Sequence, residues 1–423
     1  MAPIQFANLK STGPRPPTLI EMPKISSIIA EKGDTPYVAF EYFPPRTAEG
    51  VASLQKRFVR MASQGAWPFP TLPKTPRVPP SPRACPPPCA APAYADVTWG
   101  AGGATSDTTL ALCVRMKEDS GMEPNMHLTC TNMPVEKITA ALEGCVAAGI
   151  SNIVALRGDP PKGEAAWKAT EGGFSCALDL VRYMREKHGG FFHISVAGYP
   201  EGHPTTITKV DDPHSLSPAE RRRVVSRPDG EYVCRDAAYA GELAYLKQKV
   251  DAGADMIITQ MFFDDEVYLQ FVKDCRSVGI NVPIQPGIML VQSYAGFQRM
   301  TELCMSRVPL DVVGMFEAVK DNDVEVKAAG LKLAERTCKR CVGALPFAFS
   351  LSPSRRFYNR FIPIPHPPSP STHTGHPTYC HRSMLKEGVK GLHLYTLNME
   401  ECVLALLDRL DMKRPVPEEA GGQ

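Results

Sequence analysis

The sequence predicts an α/β fold: a closed (β/α)8 barrel of the TIM type, carrying proline-rich insertions. Eight short apolar or β-branched runs recur along the chain, and a segment of helical period follows each, the alternation that builds a parallel sheet closed on itself. Proline, unevenly distributed, sets apart the stretches that do not belong to this alternation.

A first helix is expected in "LIEMPKISSIIAEKG", ahead of the first strand, "YVAFEYF". In that strand period-two alternation puts Val38, Phe40 and Tyr42 on one face and Ala39, Glu41 and Phe43 on the other, so a carboxylate interrupts an apolar run. The remaining strands are "YADVTWG", "NMHLTCT", "NIVALRGD", "HISVAGYP", "DMIITQMFF", "PIQPGIML" and "GLHLYTLN". Between them "PVEKITAALEGCVAAG", "SCALDLVRYMREKHG", "GELAYLKQKVDAGA" and "DEVYLQFVKDCRSVG" show apolar residues at helical spacing. One domain over 18–412 follows, with a disordered tail over 413–423.

Of 423 residues 41 are proline, about twice the usual share. Eleven fall in 65–95 and eight in 343–384, a composition that cannot build a packed core and predicts extended or disordered insertions. Both lie between a helix and the next strand, on the structural face of a barrel. A third irregular stretch, 205–236, carries Arg221, Arg222 and Arg223 and is expected as a solvated loop. Because it follows a strand, it emerges on the face where barrel active sites lie, and of the three only it is placed to touch substrate.

With 43% hydrophobic residues and a formal charge of +2, the chain has no electrostatic bias toward nucleic acid or acidic membranes, and a small-molecule partner is expected. Thirteen scattered cysteines suit reduced surroundings rather than a disulfide framework. Cys338 and Cys341 have C-x-x-C spacing, but no second pair stands nearby and no metal is expected. There is neither a secretory start nor an 18-residue apolar run, so the expected address is the cytosol. A homo-oligomer is expected, although nothing in the sequence fixes its order.

The strand ends carry Glu41, Thr98, His127, Arg157 with Asp159, Tyr199 with His203, Gln260, and Tyr395 with Asn398, polar residues better explained by a ligand than by folding. No strand end offers a lysine for a Schiff base. "DVTWGAGGAT" narrowly misses the dinucleotide fingerprint, with Thr105 where the third glycine belongs. In "VALRGDPP" Arg157 and Asp159 straddle Gly158; they either pair to cap the barrel or flank a glycine that lets a ligand approach the backbone.

"FEYFPPRTAEG", "DVTWGAGGATSD", "MHLTCTNMPVEKI", "ALRGDPP", "EGGFSCALDLVRYMR", "VAGYPEGHP", "LKQKVDAGADMIITQMFFD", "PGIM", "VKDND" and "LHLYTLN" stand in the order found in one family. Together they resemble the catalytic domain of eukaryotic methylenetetrahydrofolate reductases, most like the plant and fungal forms. The resemblance implies an FAD-containing barrel that takes hydride from NADH or NADPH and passes it to 5,10-methylenetetrahydrofolate, with ping-pong kinetics; the plant-like character leans toward NADH. It places Thr98, His127, Arg157, Gly158, Asp159, Ala177, Ala197, Tyr199, His203 and Lys249 at flavin-contacting positions. Cys176, Glu242, Tyr245 and Gln248 occupy further such positions, where bacterial relatives carry Tyr, Asp, Asn and Arg; Met399 likewise replaces an Arg. Asp159 would lie by the pyrimidine edge of the flavin, and Gln260, Tyr294 and Tyr395 would hold the pterin or nicotinamide.

Glu41 would be the general acid, its pKa raised from about 4.3 by desolvation so that a proton is available to the departing nitrogen. Failing that, Glu41 would merely pair with a basic neighbour such as Arg157. Because the chain stops soon after the last barrel helix, inhibition by S-adenosylmethionine through a regulatory domain is expected to be absent. The alternative to an enzyme is a truncated, non-catalytic folate-binding barrel, which the proline-rich inserts motivate.

Overall fold

The computed structural model describes residues 23–33, 35–63, 92–99, 106–160, 167–342 and 390–412. The expected proline-rich insertions lie outside the described residues, apart from 92–95, and so does the tail 413–423.

The strands are β1 (Tyr37–Tyr42), β2 (Tyr94–Val97), β3 (Pro124–Thr129), β4 (Asn152–Leu156), β5 (His193–Gly198), β6 (Ile207–Lys209), β7 (Val225–Arg227), β8 (Gly230–Cys234), β9 (Met256–Met261), β10 (Ile284–Met289) and β11 (Gly391–Tyr395). Eight of them close a barrel in the order β1-β11-β10-β9-β5-β4-β3-β2, with every neighbouring pair parallel. The fold is therefore the (β/α)8 barrel that the alternation predicts, although β2 starts at Tyr94, inside the stretch expected as insertion.

Helix α1 (Ile25–Lys32) precedes β1, and α2 (Ala48–Ser63), α3 (Ser106–Ser120), α4 (Val135–Ala148) and α5 (Ala177–His188) follow β1 to β4. The short α6 (Pro218–Arg222) belongs to the excursion after β5, and α7 (Asp236–Asp251) completes that unit. Helix α8 (Asp265–Ser277) follows β9; α9 (Tyr294–Cys304), α10 (Leu310–Glu317) and α11 (Asp323–Val342) follow β10; and α12 (Glu400–Arg409) follows β11.

The alternation read in β1 is realised. Val38, Phe40 and Tyr42 face outward into the main core, where the Tyr42 ring lies 5.0 Å from that of Phe58 on α2. On the inner face Tyr37 and Ala39 pack with Tyr94, Val154, Met256 and Ile258 at the N-terminal end of the barrel. Ile25 of α1 plugs this end, its N–H donating to Asn152 Oδ1 at 2.8 Å. Gln285 links Tyr94 and Tyr37 across the bore, which satisfies two buried hydroxyls. Cys338 and Cys341 are buried on the core side of α11, where burial pushes both thiols up.

The stretch 205–236 is not a solvated loop. It forms an antiparallel sheet, β6-β8-β7, over a small core of Val210, Leu216, Val224 and Val233. "RPDG" makes the β7–β8 turn, with Gly230 at φ 143°, and Ser217 and Glu220 form a capping box at the start of α6. Of the three arginines Arg223 is buried, bonded to Asp236 at 2.6 Å with its guanidinium 3.9 Å over the Tyr239 ring; Arg221 and Arg222 are exposed. The excursion is pinned to the barrel rim by Arg227, which donates to the carbonyls of Thr301 and Glu302, and by Arg307, which donates to the carbonyl of Val224.

His193, at the foot of β5, yields a prediction about pH. Burial depresses its pKa to about 4, with the Asp255 carboxylate opposing and the Arg185 and Lys24 charges assisting. The unfolded chain therefore takes up a proton that the folded chain refuses as pH falls below 6.5. Stability from this group is full above pH 6.5 and declines as pH falls toward 4, by about 3 kcal/mol in the limit. In urea denaturation from pH 7 to 4.5, His193→Asn is expected to lose less stability than the parent chain.

Candidate active site

Parallel closure puts the C-terminal ends of all eight barrel strands on one face. Just below that face four ionisable side chains meet, from the adjacent strands β11, β1, β2 and β3. Glu41 Oε2 lies 3.0 Å from His393 Nε2 and 3.7 Å from His127 Nε2. Asp96 Oδ1 accepts from Asn125 Nδ2 at 2.8 Å and lies 3.2 Å from His127 Nε2, while Asp96 Oδ2 lies 3.6 Å from His393 Nδ1. Glu41 is 5% exposed, and Asp96 and His393 are fully enclosed.

The partner of Glu41 is thus His393, not Arg157. Nor do its sequence neighbours wall it in: Phe40 and Tyr42 face the helices and Phe43 is exposed. The bore of the barrel itself keeps Glu41 dry. Among the described residues no group of three or more His, Cys, Asp or Glu is arranged to hold a metal ion.

Beside this cluster a second group lines the rim over β4, β5, α5 and α7. Arg157 lies 5.4 Å from the centroid of the Trp167 ring, and among the described residues no ion pair joins it to the exposed Asp159, so the two do not cap the barrel as a pair. Gly158 has φ 88°, and an added Cβ would sit 2.4 Å from Thr131 Oγ1, which itself donates to the carbonyls of Arg157 and Asp159. The bare glycine leaves room for that threonine.

The Tyr199 and His203 rings lie 4.8 Å apart, and the Thr205 N–H donates to His203 Nδ1. Burial, aided by the Arg157 and Lys249 charges, lowers the His203 pKa to about 4, so at neutral pH its proton is on Nε2. Burial also pushes the Tyr199 hydroxyl up to about 12. Lys249, almost fully buried, donates to the carbonyl of Ala197 at 2.8 Å; burial brings its pKa down to about 8, against the pull of Glu242 and Cys176.

Glu242, Tyr245 and Lys249 recur along the inner side of α7. Burial raises the Glu242 carboxyl, opposed by Lys249 and by a Thr206 hydrogen bond. The Tyr245 hydroxyl shares hydrogen bonds with Cys176 and the Leu178 backbone, next to the buried Ala177 that opens α5. Gln248 is exposed and stands apart from this group.

Around the rest of the mouth, the Thr98 N–H bonds the Tyr42 carbonyl at 2.9 Å. Gln260 folds its side-chain oxygen onto the Met261 N–H, and the Tyr294 hydroxyl is engaged by Glu317, which pushes it up to about 12. Asn398 brackets Phe43, accepting from its N–H and donating to its carbonyl. The Tyr395 hydroxyl donates to the Thr259 carbonyl at 2.8 Å, which lays the ring across the mouth. Its path crosses Gly287, after Pro286, where the β9–β10 register shifts and the Gly287 N–H bonds Thr259 Oγ1 instead of a strand carbonyl.

Asp96, Asn125 and His393 belong to the cluster although no motif in the sequence points to them. Each carries the signal that marked Glu41, a polar residue at an inward position of an apolar strand.

A sequence model of the family described as Methylenetetrahydrofolate reductase matches residues 88–344, more than half of the chain. The chain is 38% identical to "Methylenetetrahydrofolate reductase (NADH) 1" of Zea mays over 94% of its length, and 40% identical to "Probable methylenetetrahydrofolate reductase (NADH)" of Oryza sativa subsp. japonica over 88%. It spans about half the length of these curated relatives, 53% and 48%. It is 29% identical to "5,10-methylenetetrahydrofolate reductase" of Pectobacterium carotovorum, covering 90% of this chain and 91% of that one.

The tightness at Gly287 gives a direct test. An added Cβ would sit 2.3 Å from the Thr259 carbonyl oxygen and 2.7 Å from the Tyr395 ring. Gly287→Ala is expected to lower stability by about 1–3 kcal/mol, as overpacking does, and to swing Tyr395 off the mouth. Chemical denaturation and tyrosine fluorescence measure the two effects.

Proposed function

The chain belongs to the methylenetetrahydrofolate reductase family, and we propose that it reduces 5,10-methylenetetrahydrofolate to 5-methyltetrahydrofolate with electrons from NADH or NADPH, through FAD. The observation that carries this reading is Glu41, a carboxyl group enclosed below the mouth of the barrel and hydrogen-bonded to His393.

The residues present fit the flavin. Thr129 Oγ1 is buried at the top of β3 without a hydrogen-bond partner, facing the space between Glu41 and the rim. Arg157, Lys249 and the N-terminal end of α5 supply positive charge for a diphosphate. In this reading His203 Nε2–H, Tyr199, Ala197, Thr98, His127 and Gly158 would contact the flavin, with Cys176, Ala177, Glu242 and Tyr245 beside them; the Tyr245 hydroxyl bonds Cys176 and the Leu178 backbone. Asp159, exposed on the rim, would place a negative charge at the pyrimidine edge, disfavouring the anionic reduced ring. Bound there, FAD supplies a two-electron carrier open to each substrate in turn, which gives ping-pong kinetics.

The protein's own work is binding and proton transfer. Tyr395 and Tyr294 offer ring faces and Gln260 an amide at the mouth, suited to a pterin or a nicotinamide. Opening the five-membered ring of the folate needs a proton on the departing nitrogen. Glu41 is placed to give it, because the bore excludes water that would otherwise compete for the proton.

Three outcomes test the reading. The purified protein is expected to be yellow with bound FAD; a colourless protein that cannot be reconstituted would leave a non-catalytic folate-binding barrel. Glu41→Gln should keep the flavin and still oxidise the nicotinamide with an artificial acceptor, while folate reduction falls about 10²–10⁴-fold. If both half-reactions survive equally, Glu41 is not the acid. FAD affinity should weaken as pH rises through about 8, where Lys249 loses its charge, and fluorescence titration from pH 7 to 9 reads this directly.

A further inference from the structure

Glu41 is not an isolated acid, because each of two imidazoles touches both carboxylates of the cluster. His393 lies 3.0 Å from Glu41 and 3.6 Å from Asp96; His127 lies 3.2 Å from Asp96 and 3.7 Å from Glu41. The two imidazoles are not equivalent. His127 Nε2 is within hydrogen-bond reach of Asp96 only, and Asn125 holds the same Asp96 oxygen. His393 Nε2 is bonded to Glu41, while its Nδ1 and Asp96 Oδ2 face each other, both buried and neither with a hydrogen-bond partner.

We propose that His393 is the positioning residue that holds and returns the proton delivered by Glu41, and that Asp96 keeps its imidazole cationic. The inference deepens the function proposed above and rests on it. After Glu41 has given its proton to the departing nitrogen, the His393 Nε2–H bond breaks, its electron pair stays on Nε2, and the proton forms a new O–H bond at Glu41 Oε2. Nothing is oxidised or reduced. The neutral imidazole regains a proton from water entering at the mouth between turnovers, which balances the one proton consumed in each reduction.

The surroundings suit this role. The titratable groups facing His393 are Glu41 from β1, Asp96 from β2 and Tyr395 on its own strand, whose ring is 5.0 Å away edge-on, while His127 from β3 meets the same two carboxylates. The neighbouring β10 presents uncharged Gly287. Burial alone would drive the imidazole toward neutrality, but once Glu41 has given its proton and is ionised, Asp96, the Glu41 hydrogen bond and the Glu41 charge together outweigh it, and the net direction is upward from 6.5. A base whose cationic form is held into the neutral range can reload an acid at working pH.

The test uses the full-length holoenzyme with 15N-labelled histidine. The His393 ring nitrogens are expected to report imidazolium at pH 7, and Asp96→Asn should lower their midpoint by about one pH unit, as loss of a neighbouring opposite charge does. The alkaline limb of folate-dependent reduction should move down with it, which loss of a merely structural contact would not cause. His393→Asn keeps a donor toward Glu41 but no mobile proton, and folate reduction should fall about 100-fold with no limb at that position.

A neutral His393 in the parent protein at pH 7, or an alkaline limb unmoved by Asp96→Asn, overturns the proposal. Should either variant fail to fold, the parent spectrum still decides where the proton lies. If the protein reduces no folate at all, the function fails, and the spectrum judges the proton separately.

Discussion

Two carboxylates and two imidazoles share the closed bore of this barrel, and the architecture around them sets how they pair. An isolated ionised carboxylate in such a place is prohibitively unstable, whereas a hydrogen-bonded group of acids and imidazoles is not. The four groups come from four consecutive positions around the sheet, so their pairing depends on strand order. Glu41 stands opposite Asp96 in the β1–β2 register, and the first and last strands must close before His393, 352 residues away, can reach it. Closure of the barrel and assembly of the acid are one event.

This explains which parts were legible in the sequence. The strands and helices are local, and period-two runs such as "YVAFEYF" and "GLHLY" declared themselves. Glu41 stood out as an acid in an apolar strand, yet Asp96, Asn125, His127 and His393 carry the same signature. What no spacing encodes is that closure of the sheet brings these positions within reach of one another on neighbouring strands. Arg157 was therefore a reasonable partner for Glu41 on paper. In space it lies on β4's rim, over Trp167.

The excursion after β5 shows the opposite case, in which the local signals were present. "RPDG" is a turn and "SPAE" a capping box, but the run of three arginines reads as solvated surface. Burial of Arg223 against Asp236 and Tyr239 needs a sheet to fold over it, and tertiary packing overrode the charge. At Gly158 the positive φ and the missing Cβ had a plain intramolecular cause in Thr131. A glycine at a strand end does not by itself separate the approach of a ligand from that of a neighbouring side chain.

The strand order also polarises the mouth. The acid–imidazole cluster occupies β11, β1, β2 and β3, while Arg157, His203 and Lys249 lie over β4, β5 and α7 on the other half. Burial lowers the pKa in both sets, but the outcomes differ: it takes His203 down to about 4 and Lys249 down to about 8, while the acids push His393 upward against the same desolvation. Under the proposed function, a ligand with an anionic arm and a neutral ring would align across the bore, its charge over the cationic half and its ring over Glu41. Contacts through Arg227 and Arg307 hold the excursion against the rim, so the polarity of the mouth is a property of the folded chain.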